Sequence, residues 1–235
     1  MPTTVSTKST NDRVRDVLAQ LERRGTKANR DGMARYGIVA PKAFGVSVTD
    51  LKTIAKPLGK DHELALALWK TGWYEARMLT GFVDDPAHVT VAQMNACAKD
   101  FDNWAVCDHL CFHLYDRTPH AWGRIEAWSK RKEEFVKRAS FALLASVALH
   151  DKREADKPFL AALPLIERAA TDERNFVKKA VSWALRGIGS RNAKLNAAAL
   201  KTARNLVAHE DVTARWIGRD AVKGLTNAAT KKRIS

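Results

Sequence analysis

Cysteine is scarce in this chain. Cys97, Cys107 and Cys111 are the only three thiols in 235 residues. They cannot build a disulfide framework, and a reducing, cytoplasmic setting fits. No apolar run approaches the about 18–20 residues that a bilayer span requires, which argues against a transmembrane segment. The opening MPTTVSTKST has no apolar signal-peptide core. Acid is also in short supply: 26 Asp and Glu face 40 Lys and Arg, a formal charge of +14. A field of that sign attracts polyanions, with nucleic acid the leading partner class.

Helical periodicity is what the chain does have, almost from end to end. A helix is expected from Ser9-Thr10-Asn11-Asp12, where side-chain oxygens can cap free amides, to Arg24 with Gly25 beyond it. Further helices are expected near 28–36, 49–58, 61–71, 73–83, 90–100, 103–116, 120–130, 133–150, 156–170, 173–188, 193–208 and 212–226. Only Ile38–Val48 reads as extended, and its Pro and Gly argue for a loop. The patterning delimits a flexible N-terminal segment over 1–8, one repeat domain over 9–227 and a flexible basic tail over 228–235.

The later helices repeat. Phe135-Val136-Lys137-Arg138 returns 41 residues on as Phe176-Val177-Lys178-Lys179, and 40 residues later as Trp216-Ile217-Gly218-Arg219. An aromatic, an aliphatic and a basic residue three places after the aromatic recur at the period of HEAT-like helical repeats. Each unit leaves an apolar face that stacking on its neighbours covers. The all-α solenoid so predicted would set Arg138, Lys179 and Arg219 on corresponding helices, as a line of cations matched to a phosphate backbone. Solvated edges of amphipathic helices are the plainer account of the same charges.

Chemistry-bearing residues concentrate in Asp102-Asn103-Trp104-Ala105-Val106-Cys107-Asp108-His109-Leu110-Cys111. Cys107 and Cys111 share a helix face, but His109 and His113 point away from it, so no metal sphere closes and the thiols read as packing. Trp104 and Asp108, at i and i+4, project as neighbours. A carboxylate beside an indole suits an electron-deficient group, and equally suits an Asp neutralised by a nearby Arg. Lys179, Trp183 and Arg186 fall in one narrow sector of a later helix, and aromatics interleaved with cations are a nucleic-acid surface. Trp122 and Trp128 lack that setting and read as core.

With these motifs in order, Trp104-x-x-x-Asp108, Arg138-Ala139 and Ser182-Trp183-Ala184-Leu185-Arg186, the sequence resembles the AlkD-like DNA alkylation repair family of HEAT-repeat alkylpurine DNA glycosylases. The resemblance runs from Met33-Ala34-Arg35-Tyr36 to Arg219. It implies a right-handed α-α superhelix with a concave basic cleft. Asp108 would be the catalytic carboxylate, with Trp104 and Trp183 around the damaged nucleotide. Arg138 and Arg186 would contact phosphates, and Tyr36 would be a further DNA-facing aromatic. Where the family often has a second acid directly after the first Trp, this chain has Ala105. The partner implied is double-stranded DNA carrying cationic N3- or N7-alkylated purines, with no cofactor and a monomeric protein. Two rival readings stay open: a non-catalytic module that binds damaged or branched DNA, and a protein–protein scaffold.

Overall fold

The computed structural model describes residues 8–234, and the described residues form α-helices, two short 3-10 turns and connecting loops. In chain order the helices are α1 (Thr10–Arg24), α2 (Lys27–Met33), α3 (Val48–Leu58), α4 (His62–Lys70), α5 (Tyr74–Val83), α6 (Val91–Lys99) and α7 (Trp104–His113). They continue as α8 (Ala121–Ser129), α9 (Glu134–His150), α10 (Asp156–Ala169), α11 (Asn175–Gly189), α12 (Ala193–Val207), α13 (Val212–Thr226) and α14 (Ala228–Ile234). None is long and apolar enough to cross a membrane.

The chain divides into two compact units, one up to Gln93 and one from Met94 onward. In the first, α1 packs on α3 and α4, and α5 closes against both α3 and α4. The segment read as a loop, Ile38–Val48, is irregular over 38–47, and Val48 opens α3. The loop is pinned by Glu75, a fully buried carboxylate that accepts from the backbone N–H of Phe44 (3.0 Å), Gly45 (2.7 Å) and Val46 (3.2 Å). Gly45 has a φ of 83°, and a Cβ there would meet the Thr26 carbonyl at 2.3 Å, so only glycine fits.

In the second unit the helices named by the sequence repeat lie on one another. α9 packs against α7 on one side and α11 on the other, and α11 continues onto α13. Their partners α8, α10 and α12 pack against this inner row. The burial follows the chemistry: from Ala139 to Ala148 every residue of α9 is buried, because neighbours cover it on several sides. Close approach is built in at Gly218, where a Cβ would meet the backbone of Val207 and Ala203 at 2.6–2.7 Å. That missing side chain lets α13 lie directly on α12.

Within the basic tail expected over 228–235, residues 228–234 form α14. Thr230 explains it. The residue is 6 % exposed, its hydroxyl donates to the Gly224 carbonyl at 2.8 Å and its N–H to Asn227 Oδ1 at 2.7 Å, so the chain end is tied to α13. Of the segment expected to be flexible over 1–8, only Lys8 lies among the described residues, and it pairs with Asp16 at 2.7 Å.

Candidate functional site

Helix α7 starts where it does because Asn103 caps it: the side-chain oxygen accepts from the Val106 N–H at 3.1 Å. That fixes Trp104 as the first helical residue and Asp108 one turn on. The opposite faces of α7 are filled by buried Val106, Cys107, Leu110 and Cys111. The two thiols donate to the Phe135 and Ala139 carbonyls at 3.5 Å, and burial pushes the Cys111 thiol well up, away from the reactive thiolate. Among the described residues no group of three or more His, Cys, Asp or Glu is placed to hold a metal ion.

Asp108 meets Arg138 across the α7–α9 contact. Arg138 Nε donates to Oδ1 at 2.8 Å and Nη2 to Oδ2 at 2.6 Å, a bidentate fork. Nη1 continues to the Phe176 carbonyl at 2.6 Å, so one guanidinium joins α7, α9 and α11. It also lies 6.0 Å from the Trp104 ring and 5.9 Å from the Phe176 ring. Burial pushes the Asp108 carboxyl up, against the pull of Arg138. Both its oxygens accept from a guanidinium that does not lose its proton, and that contact favours the ionised form against burial. Asp108 is therefore held as a carboxylate, with two of its roughly four lone-pair directions used. Its side chain keeps 18 % exposure against 8 % for Arg138, so the acid, not the base, is what the site presents.

The line of cations expected over Arg138, Lys179 and Arg219 is thus broken at its first member. Lys179 and Arg219 are exposed, whereas Arg138 is 6 % exposed and committed to Asp108. The helical correspondence behind the expectation is real. Phe135 and Phe176, the first two aromatics of the repeat, lie 5.4 Å apart, and Lys178 lies 5.3 Å over Trp216, the third. Trp216 is 39 % exposed and was not singled out as a site residue. Its place as the third repeated aromatic was the available signal.

Trp183 and Arg186 are half-buried on α11 and line one cavity together, of which Lys179 is not part. Arg186 sits 3.4 Å from Asp220, which also accepts from Ser182 at 2.5 Å. Trp104 belongs to the Asp108–Arg138 group. Tyr36, in the first unit, is 72 % exposed. The two indoles read as core are anchored by their N–H groups: Trp128, 2 % exposed, to Asn95 Oδ1 and Trp122 to Glu154 Oε2, each at 3.0 Å.

Next to the site, Asp172 fastens the α10–α11 connection to the start of α9. It accepts from Arg174 at 2.6 and 2.8 Å and from Lys137 at 2.9 Å. The Arg174 hydrogen bonds, with Lys137 assisting, hold its carboxyl down at about 2, below the ordinary 3.8. A depressed folded-state pKa stabilises above the unfolded value and is lost as pH falls through the folded one. Asp172→Asn should therefore be less stable than the parent at pH 6, by on the order of 1 kcal/mol once solvent screening is allowed for. The difference should close between pH about 4 and about 2 in acid-unfolding curves. A constant difference across that window would contradict the assignment.

A family model described as DNA alkylation repair enzyme matches residues 17–225. No curated protein matches the chain. A solved structure aligns with a TM-score of 0.74 at 18 % identity, over 90 % of this chain and 94 % of that one. It is described as representing a new family related to the HEAT-like repeat DNA glycosylases, with affinity for branched DNA structures. At that identity the likeness shows the fold: all-helical and HEAT-like.

Proposed function

The chain belongs to the DNA alkylation repair enzyme family, and from that premise we propose that it hydrolyses the N-glycosidic bond of cationic alkylpurines in duplex DNA. The observation that carries the reading is Asp108: an ionised carboxylate, fixed by two charge-assisted hydrogen bonds yet still partly exposed, on the same helix face as an indole. Alkylation at N3 or N7 gives the purine a positive charge, so the base leaves without needing a general acid. Bond cleavage leaves an oxocarbenium-like sugar, as in glycoside hydrolysis. The unused lone pairs of Asp108 would stabilise that cation and orient the attacking water. The Trp104 face would attract the same positive sugar. Arg138 acts in this scheme as a positioning residue that locks the carboxylate rotamer. Tyr36, Lys179, Trp183, Arg186 and Arg219 would face the duplex.

In this reading selectivity resides in the lesion's own charge and bond lability. Duplex DNA carrying 7-methylguanine should yield free base, whereas the same duplex carrying uracil, a neutral base, should not. Equal release of the two would overturn the reading. One observation favours a second reading. Both Asp108 oxygens are engaged by Arg138, as in a structural ion pair, which fits a non-catalytic protein that binds damaged or branched DNA. Such a protein would bind DNA in a salt-dependent manner and release neither base.

A further inference from the structure

Away from Asp108, towards the C-terminal ends of α9 and α11, a cavity of about 460 Å³ is lined by Leu149, Lys152, Trp183, Arg186, Ser190 and Arg233, with small residues between them. Its three cations come from three separate segments: Lys152 after α9, Arg186 in α11 and Arg233 in α14. None of the lining residues is acidic. Asp220 supplies a counter-charge 3.4 Å from Arg186. Arg191 adds to the positive potential from behind. It is fixed by hydrogen bonds to the carbonyls of Ala148 (2.9 Å), Asp151 (2.6 Å) and Glu154 (3.0 Å) and lies 4.0 Å over the Phe159 ring.

We propose that this cavity binds a nucleotide bearing a terminal phosphate monoester, its phosphate among Lys152, Arg186 and Arg233 and its sugar or base against Trp183. The charge selects the ligand. An internal phosphodiester carries one negative charge, whereas a phosphate monoester carries about 1.5–2 near neutrality, closer to what three convergent cations can neutralise. The Lys152 amino group shows the same imbalance: burial, followed by the Arg191 and Arg233 charges, lowers its pKa. A dianion would relieve that repulsion. The volume lies within the range of small-ligand sites, roughly 300–1,000 Å³. An indole wall supplies base- or sugar-stacking surface without base preference. The third cation depends on α14, which Thr230 holds in place, so α14 completes the site.

The test uses the full-length protein and short duplexes that differ only in phosphate or hydroxyl at the 5′ or 3′ ends. Fluorescence anisotropy should show binding on the order of tenfold tighter for one phosphorylated end, the size of a new charge-assisted contact. Arg233→Gln and Lys152→Gln, both exposed positions, should each reduce that preference and together abolish it. Competition by a nucleoside monophosphate, but not by its nucleoside, tells whether a free nucleotide also enters. Equal binding of phosphorylated and hydroxyl ends, with no competition by the monophosphate, would overturn the proposal. So would a preference that survives both charge changes. The inference rests on the DNA-binding reading but not on Asp108. Release of methylpurine from intact duplex tests the Asp108 chemistry and needs no terminal phosphate, and the two charge changes spare every residue assigned to that chemistry, so failure of either idea is told from failure of the other.

Discussion

Asp108→Asn should reduce methylpurine release under single-turnover conditions by on the order of a hundredfold or more, the usual scale for removing one preorganised charge from a transition state. The substitution keeps the volume of the side chain and one oxygen to accept from Arg138, but it leaves the buried guanidinium without its counter-charge, so the variant should also be less stable than the parent. What it removes is the full negative charge facing the sugar. Charge, rather than hydrogen bonding, is the quantity tested, because a developing oxocarbenium ion offers no proton to bond. Melting curves recorded alongside the assay establish that the variant is folded at the assay temperature. Release at the parental rate by a folded variant would remove Asp108 from the mechanism.

The second large effect is on stability. Arg138→Met should destabilise the protein by about 3–5 kcal/mol, because it leaves the Asp108 carboxylate in a low-polarity site without its counter-charge. The Phe176 carbonyl, which accepts from Arg138 at 2.6 Å, loses that donor at the same time. For a chain of this size the melting temperature should fall by roughly 10 °C. Pairing the change with Asp108→Leu should restore most of the loss, since an apolar pair of similar volume avoids the desolvation of both ions. The double variant should melt near the parent and release no methylpurine. If Arg138→Met alone melts within about 1 kcal/mol of the parent, the ion pair is a surface contact and the account of a locked carboxylate fails.

These two expectations turn on a pairing that was weighed in the sequence only as a general alternative. Trp104 and Asp108 could be placed on one face because both lie on one helix, where 3.6 residues per turn settles direction. That Arg138 would be the ion's partner could not be read in the same way. The partner lies 30 positions later on another helix, and helix-to-helix register depends on how two apolar faces interlock. Arg138 was instead grouped with Lys179 and Arg219 by the repeat. The repeat gave its helix correctly and its environment wrongly. The same gap hid the cavity. Lys152, Trp183 and Arg233 lie on separate segments with no shared motif, and Arg233 belongs to a tail whose short polar sequence reads as frayed.

The sequence by itself determined the helices as far as α13, from periodicity and from a cap such as Ser9. It also determined the stacking order, through the roughly 40-residue recurrence of aromatic and basic positions, and the positive field. These are local or additive properties, readable one segment at a time. Tertiary structure alone decided which charges are spent on one another and which stay open to a ligand. A charge's fate depends on what surrounds it from every direction. Arg138, enclosed by α7, α9 and α11, is consumed by Asp108, while Lys152 and Arg233 line an open cavity beside Arg186, which itself lies 3.4 Å from Asp220.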